Sequence, residues 1–225
     1  MIPPRVLPLA RYQLALLLRS QCWVAPVVLY AALVVGGAAG GQELGDSLAW
    51  AGAALIPVTA WVSRLVVTAE STAERAVVAA VVGPRRVQAT ALAVALLFAA
   101  VLGAAGVVFE YFASVKPPPG APRSAGSVLL QGVIVVVICL LAGSAAGAVS
   151  APPLVHGRGP GLAALAAVVL AWLVMPLSPA NAAIRSQYTA APDPTFALLA
   201  PVIGVLVLTV LAWTTSLVCV GRGRA

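Results

Sequence analysis

Few side chains in this sequence could act as a nucleophile, a general base or a metal ligand. Ser144 lies in a Gly-Ser-Ala-Ala-Gly segment, and the single histidine, His156, follows twelve residues later. A helix between them would separate the two residues by about 18 Å, which is beyond the reach of a general base. The cysteines lack the spacing of metal ligands; they are Cys22, Cys139 and Cys219. The sequence therefore predicts that the chain is not an enzyme and binds no cofactor itself.

The chain also lacks the residues that hold ATP. Its single lysine, Lys116, is followed by three prolines. ATP hydrolysis requires a glycine-rich loop that ends in Gly-Lys-Ser/Thr, because the lysine must reach the phosphates and the hydroxyl must reach Mg²⁺. If the chain takes part in an ATP-driven process, we expect ATP and magnesium to be bound by a partner subunit.

One short stretch has clear helix start and stop signals. Ser71 and Glu74 have the spacing of a capping box, in which each side chain accepts a hydrogen bond from the backbone N–H of the other residue. About three turns later, Gly83 and Pro84 supply a stop. The pattern predicts a helix over 71–83.

The body of this helix is apolar almost all round. Such a surface left in water promotes association, so it must contact lipid headgroups, neighbouring helices or another protein. A helix that fits a groove in a partner is a common mode of recognition. The residues expected at such a contact are Glu70, Glu74, Arg75, Val78 and Arg85. The alternative is a tightly packed turn between two membrane spans.

The sequence as a whole is too apolar for a protein surrounded by water. Of its 225 residues, 62% are apolar and 8% are charged, against about 45–50% and about 25% in a soluble domain. Secreted, nucleic-acid-binding and disordered proteins are therefore excluded, despite a formal net charge of +7. A bilayer core about 30 Å thick needs roughly 20 apolar residues per helix. Six stretches meet or approach this length: 23–39, 48–69, 87–108, 126–150, 161–177 and 196–220.

The predicted fold class is an all-α membrane protein in which residues 1–225 form a single transmembrane domain of six helices. Gly36-x-x-x-Gly40 and Gly143-x-x-x-Gly147 have a spacing that allows helices to approach closely. With both termini inside, ten of the 13 arginines and lysines lie on the cytoplasmic side and three lie outside. This positive-inside bias predicts a multi-pass protein of a bacterial plasma membrane with both termini in the cytoplasm.

Several charged residues are expected at the membrane interface. Residues 8–22 have the pattern of an amphipathic helix on the cytoplasmic surface, with Arg11 and Arg19 on one side. A simple extension of the first span is the alternative. Arg64 has a stem long enough to reach the cytoplasmic interface, with a gate or an ion pair as its alternative. Glu110 is expected to be an interfacial anchor at the outer end of the third span.

Three features occur together in this chain. They are the arginine-bearing surface helix, six predicted spans with both ends inside, and Glu-Ser-Thr-Ala-Glu-Arg…Gly-Pro-Arg-Arg between the second and third spans. In this combination the chain resembles the permease subunit of type-2 ABC exporters. In that family the first cytoplasmic loop forms a coupling helix that docks on a separate ATP-binding subunit, which implies this role for 71–83. The resemblance also implies an external segment with short helices at 178–195.

The resemblance implies a membrane-spanning exporter subunit that pairs with a second copy or with a sister permease. The spans contain no mid-membrane Asp, Glu or His, which favours an amphiphilic or hydrophobic cargo such as a drug, a lipid or a peptide. The alternative is a non-transporting six-span membrane scaffold or immunity-type protein, which would have no energy source.

Overall fold

The computed structural model describes residues 6–38, 41–118, 121, 123–188 and 194–222. Within these ranges the chain is helical and forms no strand; Glu43 and Val115 make an isolated parallel bridge. The helices are α1 (Val6–Ser20), α2 (Val24–Ala38), α3 (Leu44–Thr68), α4 (Thr72–Val82), α5 (Pro84–Ala113), α6 (Ala125–Ser150), α7 (Arg158–Val174), α8 (Pro179–Tyr188) and α9 (Pro194–Gly221). The all-α prediction is confirmed for this part of the chain.

Four helices are long and apolar enough to cross a bilayer: α3, α5, α6 and the part of α9 from Leu198 to Gly221. The pairs α1–α2 and α7–α8 reach that length only together, and they are bent by 76° and 40°. Alone, the 15 residues of α2 and the 17 residues of α7 extend only about 22 Å and about 26 Å. Within the described ranges the protein therefore has four to six candidate spans, and the predicted six is the upper end of this range.

The helix bounds differ from the predicted spans mainly at their ends. The helix α3 begins at Leu44, four residues before the predicted span, and α5 exceeds the predicted 87–108 at both ends. The fifth predicted span, 161–177, is α7, which ends at Val174. The segment expected to lie outside, 178–195, contains α8 and the first residues of α9; its residues 189–193 lie outside the described ranges.

The helix α3 is the centre of the bundle. In an apolar stretch of 18 residues within α3, 72% of the residues are buried. The helices α2, α5 and α6 pack around it. The closest approach is to α6, where a methyl group on Gly143 would lie 2.6 Å from the backbone oxygen of Ile56, and one on Gly147 would lie 2.9 Å from that of Ala60. The close approach predicted for this glycine pair is confirmed. A side chain at Gly36 would meet nothing within 4 Å, and Gly40 lies outside the described residues.

The two ends of the bundle carry different groups. We call one the loop-helix end; it consists of α4, the end of α3, the start of α5, the connection 151–157 and the end of α9. The opposite end contains the Glu43–Val115 bridge and the end of α8. At that end Val115 donates to the carbonyl of Gln42 and accepts from the N–H of Leu44, each at 3.0 Å.

Candidate functional site

The short helix α4 forms as the sequence predicts. Ser71 Oγ accepts a hydrogen bond from the Glu74 N–H at 3.3 Å, and the Glu74 carboxylate accepts one from the Ser71 N–H at 3.0 Å. Hydrogen bonding to the Glu74 carboxylate, first from the backbone N–H of Ser71 and then from its side chain, holds the pKa of Glu74 below its ordinary value. Gly83, with φ +94°, ends α4, and Pro84 begins α5 at once. The capping box is confirmed, and the helix spans 72–82 within the predicted 71–83.

One face of α4 is exposed and apolar. Val77 and Val81, one helical turn apart, are each 68% exposed, and Ala73, Ala76 and Ala80 are exposed beside them. Among the described helices, α4 packs against α5. Val78, named from sequence as a contact residue, is half-buried. The exposed valines, Val77 and Val81, lie about 100° and about 60° around the helix from Val78, and the sequence of an all-apolar helix does not tell which of them packs.

Arg75 joins three helices. Its guanidinium donates to the backbone oxygen of Val67, at the end of α3, over 2.6 Å. It also donates to the Oε1 of Gln88 on α5. Burial lowers the pKa of Arg75, and the negative charge of Glu70 opposes this shift. Arg75 was expected to contact a partner, but the structure turns its guanidinium inward, so that it fixes α4 to the bundle.

Gln88 extends this connection across the loop-helix end. Its side chain is fully buried, and Nε2 donates to Ser216 Oγ on α9 at 2.9 Å and to the Pro152 oxygen at 3.4 Å. A chain of hydrogen bonds therefore runs from α4 through α5 to α9 and to the connection after α6. Sequence reasoning missed Gln88; its signal was an amide in the first turns of an apolar span.

Glu70 is the group on this surface with unmet hydrogen-bonding capacity. Both carboxylate oxygens are buried and accept no hydrogen bond in the structure as described. Burial raises the pKa of Glu70, while Arg75 acts in the opposite direction. The phenol of Tyr12 on α1 is near enough for its pKa to be raised, first by desolvation and then by the charges of Glu70 and Glu74. The carboxylate of Glu70 is therefore buried without a hydrogen-bond donor among the described residues.

The arginines of α1 lie where an interfacial helix would place them. Arg11 and Arg19 are exposed, whereas Leu17 is buried against the bundle. Gln13 is also buried, and its Nε2 donates to the Val87 oxygen on α5 at 3.2 Å. The helix α1 is thus attached to the same first turn of α5 that adjoins α4.

Arg85 is exposed at the junction of α4 and α5. Its guanidinium lies directly against Gly221, near the end of α9. Both residues line an open cavity of about 370 Å³ beside Val82 and Gly83. Of the five residues that the sequence assigned to a partner contact, Glu74 and Arg85 are exposed at the loop-helix end, and Val78 is half-buried. The guanidinium of Arg75 and the carboxylate oxygens of Glu70 lie inside the protein.

Arg64 was expected to reach the interface, and the structure places it inside the protein. The residue is 8% exposed. Its guanidinium donates to the Ser150 oxygen at the end of α6 and, over 2.9 Å, to the Gly157 oxygen before α7. Arg64 thereby holds both ends of the 151–157 connection. Glu110 differs from expectation as well, since it is fully buried and bonds to Ser114.

The two groups considered for catalysis, Ser144 and His156, lie in different surroundings. Ser144 is fully buried, and its Oγ accepts a hydrogen bond from Trp213 Nε1 at 3.1 Å. His156 is exposed in the connection after α6. No cluster of three or more His, Cys, Asp or Glu suited to a metal ion occurs among the residues with described positions. No protein-family model, curated protein or solved structure matches this chain.

Proposed function

We propose that this protein is the membrane-spanning permease subunit of an ATP-driven ABC exporter, with α4 as the coupling helix that docks on a separate ATP-binding subunit. In this proposal the loop-helix end faces the cytoplasm of a bacterial cell. Six spans cross the plasma membrane, and the working assembly contains two permease chains. The cargo is amphiphilic or hydrophobic.

The observation that carries the proposal is the combination of an exposed apolar face on α4 with a fixed attachment beneath it. Val77 and Val81 project outward, and full burial of a valine side chain contributes about 1.5–3 kcal/mol. A helix of this size seats well in a groove on a partner. The exposed Glu74 beside it offers a carboxylate to basic groups of such a partner.

The hydrogen bonds of Arg75 supply a route for movement. When ATP closes the partner, α4 is displaced, and Arg75 cannot move without pulling on Val67 and Gln88. Gln88 carries the displacement to α9 through Ser216. Two packings of α3, α5 and α9 would then alternate, which is the way in which packed helices convert a local push into a global change.

The test is crosslinking in the native membrane. A photoreactive residue replaces Val77 or Val81 in the tagged full-length chain, and crosslinked products are purified and identified by mass spectrometry. Val115 is the control position, because it is 55% exposed at the opposite end of the bundle. We expect Val77 and Val81, but not Val115, to crosslink to a chain with a Gly-Lys-Ser/Thr phosphate-binding loop.

Substitution provides a quantitative version of the same test. Val77→Asp with Val81→Asp should lower the yield of the co-purified ATPase at least about tenfold, because two apolar contacts are lost. Val115→Asp should leave the yield unchanged. Crosslinking to lipid or to the chain's own helices, with no ATP-binding chain at either position, would contradict the proposal and favour the non-transporting scaffold.

A further inference from the structure

A second cavity lies at the opposite end of the bundle from α4. It measures about 590 Å³ and is formed by the start of α3, the residues that follow α5, and the end of α8. Its volume is in the range of small-molecule sites. The backbone bonds between Val115 and the start of α3 hold two of its walls together. None of the residues proposed to contact an ATPase lines this cavity.

Gln187, at the end of α8, is the most informative residue of this cavity. Its side chain is 6% exposed, yet neither Oε1 nor Nε2 has a hydrogen-bond partner within the described structure. Buried amides are nearly always paired in folded proteins, so an unpaired amide that lines a cavity indicates a missing ligand. Gly45 lies beside this amide, since a methyl group there would be 3.4 Å from Gln187 Oε1.

Charged groups of both signs line the same cavity. Glu43 and Asp46 supply carboxylates from the start of α3, and Lys116 and Arg123 supply cations from the segment after α5. Arg123 donates to the Oε1 of Gln131, and its Nε is buried without a partner. Lys116 Nζ lies 4.4 Å from the centre of the Tyr111 ring. The cavity therefore offers acceptors for an ammonium group and donors for an anionic group.

We propose that this cavity binds a zwitterionic group that carries a primary ammonium and an anionic phosphate or carboxylate. The carboxylates of Glu43 and Asp46 accept from the ammonium, and Arg123 and Lys116 bind the anion. Gln187 bonds to both parts through its oxygen and its amide N–H. Since α3 begins and α5 ends here, the cavity lies at the level of lipid headgroups, and a phosphoethanolamine headgroup has the required groups. The proposal does not depend on an ATPase partner.

Binding is tested with the purified full-length protein in detergent. Native mass spectrometry and the melting temperature are recorded with phosphatidylethanolamine and with phosphatidylglycerol, which lacks the ammonium. We expect phosphatidylethanolamine to bind at least about tenfold more tightly. Free phosphoethanolamine is tested in parallel, because equal binding would identify a soluble zwitterion, whereas binding of the lipid alone would identify a membrane headgroup.

The decisive variant is Gln187→Leu, which keeps the volume and removes both polar atoms. It should reduce phosphatidylethanolamine binding about tenfold and raise the melting temperature of the ligand-free protein, because a buried unpaired amide has been removed. Gln42→Leu, an exposed glutamine at the same end, should change neither.

A second variant keeps the test decisive if Gln187→Leu does not fold. Glu43→Gln combined with Asp46→Asn should remove the preference for phosphatidylethanolamine over phosphatidylglycerol. Equal binding of the two lipids by the unaltered protein, or full binding by the Gln187→Leu protein, would overturn the proposal.

Discussion

The guanidinium of Arg75 on α4 is hydrogen-bonded to the side-chain oxygen of Gln88 on α5. This contact converts a short surface helix into a part of the bundle, because Gln88 is bonded in turn to Ser216. Arg75, which the sequence predicts to be a surface charge, therefore attaches α4 to the helices beneath it.

Gln88→Leu should destabilise the protein by about 1–3 kcal/mol, because the guanidinium of Arg75 and the hydroxyl of Ser216 each lose a partner. The free energy of unfolding in detergent provides the measurement. Ser216→Ala removes one of these bonds and should have a smaller effect, and the exposed Gln42→Leu should have none. A Gln88→Leu protein as stable as its parent would show that the hydrogen-bond chain does not hold α4.

Ser71→Ala should loosen α4 without disturbing the spans. Loss of an N-cap side chain typically lowers the stability of a helix by about 1 kcal/mol. Here it would also weaken the reciprocal hydrogen bond between Glu74 and the Ser71 N–H. Hydrogen exchange of the α4 amides should become roughly fivefold faster, while exchange in α3 stays the same. Ser71→Thr, which retains the capping hydroxyl, is the matched control. Unchanged exchange in the alanine variant would show that packing on α5, and not the cap, sets the stability of α4.

Glu70 and Glu74 should contribute to stability with opposite dependence on pH. The raised pKa of Glu70 means that the folded protein holds its proton more tightly than the unfolded chain does. Its contribution therefore becomes less favourable as pH rises from the ordinary glutamate range through the raised pKa. The lowered pKa of Glu74 means that its contribution is present above the ordinary range and is lost as pH falls through the lowered pKa.

Glu70→Gln tests the contribution of Glu70 to the pH dependence of stability. It should raise the melting temperature near pH 7 more than near pH 4, where Glu70 is already largely protonated. A melting temperature that falls on substitution at pH 7 would contradict the burial of an unsatisfied carboxylate at this position.

Gly143→Ala should destabilise the contact between α3 and α6. The added methyl group would lie 2.6 Å from the Ile56 oxygen, and forced overpacking costs about 1–3 kcal/mol. Gly36→Ala is the control, since no atom lies within 4 Å of a methyl group there. Equal melting temperatures for the two variants would mean that the helices separate at little cost.

Much of the fold follows from local signals in the sequence. The apolar stretches have the length that a bilayer demands, and the start of α4 is determined by Ser71 and Glu74, whose bonds are local. The pairing of Gly143 and Gly147 with α3 is also visible as a spacing. The bends that leave α2 and α7 short of a full span depend on how distant helices pack, and no local pattern reports them.

The helix α4 and its capping box were predicted correctly, whereas the contacts of the side chains at this end were predicted less well. Val77 and Val78 are chemically identical, so only the packing of α4 on α5 decides which is exposed. Arg64 and Arg75 have stems long enough to point outward or inward. The backbone oxygens that hold Arg64 inside come from Ser150 and Gly157, which are distant in sequence. Gln88 and Gln187 were overlooked because a single amide in an apolar helix has no spacing pattern to mark it.

Only Gly83 separates α4 from α5, so the two helices meet at a one-residue hinge. On one side of this hinge α4, with 11 residues, is about 16 Å long. On the other side α5, with 30 residues, is about 45 Å long. A rotation of α5 by roughly 5° about this hinge would displace the far end of the helix by about 4 Å. The far end of α5 continues into Val115, which is hydrogen-bonded to the start of α3. A small displacement of α4 would therefore change the shape of the cavity that we propose binds a zwitterion.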